Sequence, residues 1–214
     1  MFYCLLNWFV KITGWPIQLL CFRKKIYYED KTVQSRRIKG KAIVISNHLS
    51  VFDYPVAMFT FPTRTLRFQM SELVMKKPVL GTFLRMLGGI YVNRDSHDFS
   101  FMAKCEKILA KGGVIGICPE GRLPMKGETP PLAFKTGAAY LALTTDTPII
   151  PMVTDGNYFR FRQRAHVIIG TPINPSDVAD PALSDKENIE KLTRVMREKI
   201  ISLGKMLNER TKEG

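Results

Sequence analysis

The chain is poor in the residues that build metal centres and disulfide frameworks. Its 214 residues include four cysteines, three histidines and two tryptophans. Cys4, Cys21, Cys105 and Cys118 are scattered, with no Cys-x-x-Cys, which argues against a zinc site. Such usage fits a reduced, cytosol-facing protein. A chain of this length can bury an ample core, so folding needs neither disulfides nor a structural metal. No internal repeat, low-complexity tract or linker appears. Acids are scarce as well, 19 against 32 Lys and Arg, a formal charge of +13. What is plentiful is apolar: 45% of residues, with 13 Phe, 7 Tyr and 10 Met, which excludes a disordered chain.

So large a cationic excess calls for a polyanionic partner, either nucleic acid or an anionic membrane surface. Residues 1–41 carry nine cations and two acids, whereas residues 184–214 carry eight cations and six acids. More than half of the excess therefore lies in the first fifth of the chain. No helix-turn-helix, zinc-finger or aromatic RNA-binding signature accompanies it. A nucleic-acid-binding protein is thus the weaker class.

Residues 1–22 read MFYCLLNWFVKITGWPIQLLCF, followed by Arg23-Lys24-Lys25. No cation precedes the apolar run and no small-residue cleavage site ends it, which argues against a signal peptide. A spanning helix is disfavoured by Lys11 near its middle and by Gly14-Trp15-Pro16. The pattern predicts two short helices hinged near Gly14–Pro16, lying in one leaflet with Lys11 snorkelling to the headgroups. Trp8 and Trp15 suit the membrane interface, and the three cations suit an anionic leaflet. Residues 1–25 are therefore expected to form a membrane anchor, with a domain over 26–214.

Beyond the anchor, short apolar runs alternate with helical patterns. Strands are expected at 42–46, 65–69, 89–92, 114–118, 148–153 and 165–170. Helices are expected at about 54–61, 71–87 (Pro78 opening the second part), 98–111 and 132–145. A long C-terminal helix over about 184–212 carries the stripe Ile189, Leu192, Met196, Ile200, Leu203, Leu207. The expected fold class is α/β: one domain with a central mixed sheet flanked by helices.

Four stretches could carry chemistry. Ser46-Asn47-His48-Leu49-Ser50-Val51-Phe52-Asp53 follows the first strand. There an Asp five positions past a His can fold back onto the imidazole, fix its tautomer and stabilise the imidazolium. Cys118-Pro119-Glu120-Gly121-Arg122 forms a turn past a buried strand, where backbone N–H groups and Arg122 can approach a phosphate. Gly88 to Arg94 is a strand delivering Arg94 to its end, and Pro148 to Val153 is an apolar strand broken by proline. Each alone also reads as ordinary structure: a capping histidine, a surface ion pair, core. His97, in a polar helix-start loop, and His166, in an apolar strand, are read as structural, as is Ser50.

In this order and spacing the four stretches resemble the blocks of the glycerophospholipid acyltransferase superfamily, most closely its bacterial 1-acyl-glycerol-3-phosphate acyltransferases. The blocks fall at His48–Asp53, Gly88–Arg94, Pro119–Arg122 and Ile150–Val153, within a motif-bearing core of about 40–155. SELVMKKPVLG (71–81) and AFKTGAAYLAL (133–143) also look like the family. The third block departs from the pattern, lacking the Thr between Gly121 and Arg122 and the Ser after Arg122. In the second, Tyr91 and Asn93 stand where the family often has Phe and Asp.

The resemblance implies acyl transfer from acyl-CoA or acyl carrier protein to the free hydroxyl of a lysophospholipid, lysophosphatidic acid above all. The product would be phosphatidic acid. His48 would be the general base and Asp53 its orienting partner. Arg94, Arg122 and Lys135 are candidates for the acceptor phosphate, with Glu120 and Gly121 in the same turn. No cofactor or metal is expected. The partners are then the bilayer, the lysophospholipid and the acyl donor, and the location is the cytoplasmic face of the cell membrane, held peripherally. Alternatives within the class are glycerol-3-phosphate, another lysophospholipid or an amino-acid lipid as acceptor. Outside it stand the nucleic-acid binder and an inactive membrane-associated relative.

Overall fold

The computed structural model describes residues 2–93, 100–159 and 164–212. In chain order the elements are α1 (Phe2–Cys21), β1 (Lys25–Tyr28), β2 (Ala42–Ser46), α2 (Asp53–Thr60) and β3 (Leu66–Ser71). Then come α3 (Glu72–Met75), α4 (Pro78–Met86), β4 (Ile90–Val92), α5 (Ser100–Ala110) and β5 (Val114–Ile117). The chain closes with α6 (Gly137–Thr145), β6 (Ile149–Thr154), β7 (His166–Ile169), α7 (Pro175–Val178) and α8 (Asp185–Lys212).

The strands form one seven-stranded sheet in the order β1-β7-β6-β2-β5-β3-β4. All neighbours are parallel except β6 and β7. The sheet is mixed and flanked by helices, as the alternation of patterns predicts. β2 is buried along its whole length, so both of its faces are apolar. Val44 joins a core with Ala57, Phe59, Phe61 and Leu84 of the α2 and α4 side. Ile43 and Ile45 join the opposite core with Leu109, Leu141, Leu192, Met196 and Ile200. The α8 stripe is buried at Leu192, Met196, Ile200, Leu203 and Leu207, as its 3.6-residue spacing requires.

The N-terminal segment differs from expectation in two ways. It is one continuous helix through Pro16, rather than two short helices hinged at Gly14–Pro16. A proline within a helix costs about 3 kcal/mol, and α1 is fastened on both sides of it. Gly14 brings the helix onto the ring of Phe59, where an added Cβ would lie 3.1 Å from it. Lys11 does not snorkel; it is buried, and its Nζ donates to the carbonyls of Phe61 (3.4 Å), Pro62 (3.1 Å) and Arg64 (2.6 Å). Carbonyls at and beyond a helix C-terminus lack intrahelical donors and attract a cation. Arg36 serves the same end of α2 through Phe59 O and Thr60 O.

α1 consequently has an inverted character. Asn7, Lys11 and Gln18, on one helical face, are buried, while Leu5, Phe9, Ile12, Ile17 and Leu20 are exposed together with Trp8 and Trp15. Val79, Leu80 and Phe83 of α4 are exposed too. No helix among the described residues is long and apolar enough to cross a membrane.

Other departures are local. β1, an unanticipated strand, pairs with β7 from Lys25↔His166 to Tyr28↔Ile169. The helical stretch expected over 71–87 is α3 and α4, the second opening at Pro78 as expected. The helix expected from 132 starts at Gly137, because the N–H groups of Leu132 and Lys135 bond to Glu120 Oε2 and Pro119 O instead.

Candidate active site

Because β2, β5 and β6 run parallel, their C-terminal ends open on one edge of the sheet. Loops at the carboxyl ends of parallel strands are where α/β folds place their sites. Asn47 clips two of these ends together. Its Nδ2 donates to Thr154 O (2.9 Å) and its Oδ1 accepts from Thr154 N–H (3.0 Å), extending the β2–β6 pairing by side chain.

His48 comes next, at the mouth of the edge. Its Nδ1 lies 2.9 Å from Asp53 Oδ2, with the imidazole about a quarter exposed and the carboxylate buried. Asp53 opens α2, where the helix N-terminus favours negative charge. Its Oδ2 also accepts the N–H groups of Leu49 and Ser50, each at 2.9 Å, and its Oδ1 accepts the hydroxyl of Tyr158 at 2.8 Å. A carboxylate so supplied keeps the imidazole proton on Nδ1 and leaves Nε2 with its lone pair. Ser50 builds the turn: its Oγ accepts the N–H of Phe52 at 3.2 Å.

Glu120 is a strut. It is buried, and its two oxygens accept the N–H of His48 (2.8 Å) and of Leu132 (2.7 Å). It thereby fastens the His48 loop to the β5–α6 connection. Gly121 follows with φ +72°, and a Cβ there would lie 2.9 Å from Lys135 Cε. The exposed Lys135 therefore lies across the Gly121 turn, held by its backbone bond to Pro119 O (2.8 Å). Burial, reinforced by Asp53 and Glu120, pushes the Cys118 thiol well above its ordinary range. It stays protonated and is no nucleophile.

Arg122 points elsewhere. Its guanidinium makes a two-pronged pair with Glu128, both contacts 2.6 Å, on the partly exposed surface. That pair pulls the Glu128 carboxyl down to about 2 and raises the guanidinium's pKa. Arg94 and His97 lie outside the described residues. His166 is paired to Asp155 at 2.8 Å, on the strand next to β6. Thus His48, Asp53 and Glu120 come together by direct bonds, and Gly121 and Lys135 adjoin them. The sequence reading missed Tyr158, Asn47 and Glu128. For the last a signal existed, an acid six residues after Arg122 across a Pro- and Gly-containing turn. Among the described residues no group of three or more His, Cys, Asp or Glu is placed to hold a metal ion.

A family model described as Acyltransferase matches residues 25–155, more than half of the chain. The chain belongs to the acyltransferase family. A human 1-acyl-sn-glycerol-3-phosphate acyltransferase beta is 28% identical over 147 residues, which cover 67% of this acyltransferase-family chain and 52% of the human protein. The 1-acyl-sn-glycerol-3-phosphate acyltransferase of Borreliella burgdorferi is 28% identical over 167 residues, covering 76% and 66%. That of Bacillus subtilis is 27% identical over 143 residues, covering 65% and 68%. The chain thus spans roughly half to two thirds of the length of these curated relatives. The fold is also that of the 1-acyl-sn-glycerophosphate acyltransferase PlsC from Thermotoga maritima. There the TM-score is 0.66 at 19% identity, over 94% of this chain and 81% of that one.

Proposed function

We propose that this protein transfers a fatty acyl group from a thioester, acyl-CoA or acyl carrier protein, to the free hydroxyl of 1-acyl-glycerol-3-phosphate. The product is phosphatidic acid, a phospholipid precursor. The observation that carries this reading is the His48–Asp53 pair, 2.9 Å apart on the loop edge of the sheet. The names of the matched relatives supply the substrate class.

In the proposed reaction His48 Nε2 takes the proton of the acceptor hydroxyl as its oxygen bonds to the thioester carbonyl carbon. Asp53 stabilises the imidazolium that forms. Collapse of the tetrahedral intermediate breaks the C–S bond, and the departing thiolate takes the proton back from the imidazolium. A thiolate leaves readily because its conjugate acid has a pKa near 8.5. General-base action of this kind contributes about 10²–10⁴-fold. No acyl-enzyme and no cofactor is invoked. Arg94, Arg122 and Lys135 are the candidates for the acceptor phosphate, with Glu120 and Gly121 shaping the turn that leads into Arg122.

The exposed apolar face of α1, extended by Val79 and Phe83 of α4, supports peripheral attachment to a bilayer, proposed at its cytoplasmic face. A second acceptor class has one observation in its favour. Arg122 is already occupied by Glu128 in a block that departs from the family's pattern, so an acceptor with another headgroup is kept as the alternative. The test is thioester consumption by the purified protein with lysophosphatidic acid, glycerol-3-phosphate and other lysolipids, the product identified by mass spectrometry. Turnover confined to lysophosphatidic acid supports the reading; turnover with none of them overturns it.

A further inference from the structure

Asp53 is held at both oxygens, and the donor reaching Oδ1 is Tyr158, 105 residues away in sequence. Tyr158 also lies beyond residue 155, where the family match ends. The direction of each bond in this buried chain is fixed by chemistry. A carboxylate only accepts, so the phenol proton points at Asp53. The phenol oxygen is then free to accept from Thr154 Oγ1 at 2.8 Å, while Thr154 Oγ1 accepts the N–H of Gly156 at 3.3 Å. Burial, with the Asp53 charge next in weight, pushes the phenol's pKa upward, and it remains a donor.

The other side of Tyr158 is fastened to the end of α1. Its ring meets Phe22 edge-on at a centroid distance of 5.6 Å. The N–H of Phe159 bonds to Cys21 O (3.1 Å), and that of Ala165 to Phe22 O (3.0 Å). We propose that Tyr158 is a positioning residue for the dyad, pinning Oδ1 so that Oδ2 faces His48, and tying that orientation to the docked end of α1. The inference rests on the acyl-transfer reading of the site.

Without the hydroxyl, Asp53 Oδ1 loses its phenol donor in a buried position, and charge concentrates on Oδ2. The imidazolium is then favoured over the neutral base. Other groups facing the dyad are the Glu120 carboxylate on the His48 N–H, the buried Cys118 thiol, and Asp155 on the far side of Tyr158. They are common to both proteins, so the difference reports on Tyr158.

The experiment compares the full chain with Tyr158→Phe in detergent micelles, using lysophosphatidic acid and a long-chain acyl-CoA across the histidine titration range. Removing one hydrogen bond to a charged group predicts kcat lowered about tenfold. KM should hardly move, and the acid limb of the pH profile should shift upward by on the order of half a pH unit. An unmoved limb with kcat near that of the parent overturns the inference. Absence of turnover in the parent, with acyl-CoA and with acyl carrier protein as donor alike, overturns the acyl-transfer reading instead. The inference is then decided by the His48 ring resonances, which should titrate at higher pH in the variant; identical titrations sink it. If Tyr158→Phe fails to fold, Thr154→Val keeps the ring and should move the His48 titration in the same direction. No movement there also overturns the proposal.

Discussion

The Nζ of Lys11 lies 2.6 Å from the carbonyl oxygen of Arg64, joining the middle of α1 to the turn that follows α2. A cation expected among lipid headgroups thus holds an internal joint. Burial lowers its pKa to about 8. Lys11→Met should destabilise the fold by about 1–3 kcal/mol, since several carbonyls lose a charged donor. The pH dependence is signed. Between about pH 8 and 10.5 the unfolded chain holds the proton that folded Lys11 has released. Stability contributed through this group therefore rises with pH over that window. Denaturant unfolding at several pH values should show a steeper rise in the parent than in Lys11→Met, where the rise that remains comes from buried Lys24, lowered to about 6.

His48→Ala and Asp53→Asn should each remove acyl transfer by about 10²–10⁴-fold, with far-UV circular dichroism and vesicle binding unchanged. Thiol release from the donor measures the first, flotation the second. Turnover retained in purified His48→Ala would leave the general-base role without support.

How far the sequence reached follows from where each interaction is encoded. The β2–loop–α2 unit, with His48 and Asp53 five residues apart, is a local pattern and could be read directly. Tyr158 could not, because its bond to Asp53 joins residues 105 apart through the sheet edge, and nothing around Asp155-Gly156-Asn157 marks it. β1 is four residues long, sits among cations and lies on the sheet edge, so its pairing with β7 leaves little local signal. Lys11 misled for a different reason. Its neighbours are apolar, but the face it shares with Asn7 and Gln18 points inward. A periodicity analysis finds such a face without telling which side is the core. The N-terminal charge excess is likewise partly internal. Lys11 and Arg36 serve the C-terminal end of α2, Lys41 donates to Thr145 O, and burial aided by Arg36 lowers Lys24 to about 6.

Arg122 and Glu128 form an exposed pair, the kind that gains little net stability. A phosphate dianion on the acceptor would compete with Glu128 for the same guanidinium. Glu128→Gln should therefore leave the melting temperature nearly unchanged and lower KM for lysophosphatidic acid by roughly two- to fivefold. Arg122→Ala should raise it. Unaltered KM in both variants would take Arg122 out of acceptor binding.

The outward face of α1 makes the last prediction. Ile12 and Leu20 are 69% and 79% exposed on a helix that turns Asn7, Lys11 and Gln18 inward. In water, large apolar side chains gathered on one face lack the compensation that burial gives them, at about 25 cal/mol per Å². A bilayer interface supplies it without unfolding anything. Replacing Ile12 and Leu20 together by Glu leaves Lys11 and the α2 joint intact. It also sets two negative charges against anionic headgroups. Flotation with vesicles containing anionic lipid should fall by at least tenfold, while activity on detergent-dispersed substrate should persist. If flotation is undiminished, the membrane-facing surface lies elsewhere. Loss of activity in detergent as well would mean that this face contributes to the substrate site itself. The two assays together therefore separate attachment from catalysis.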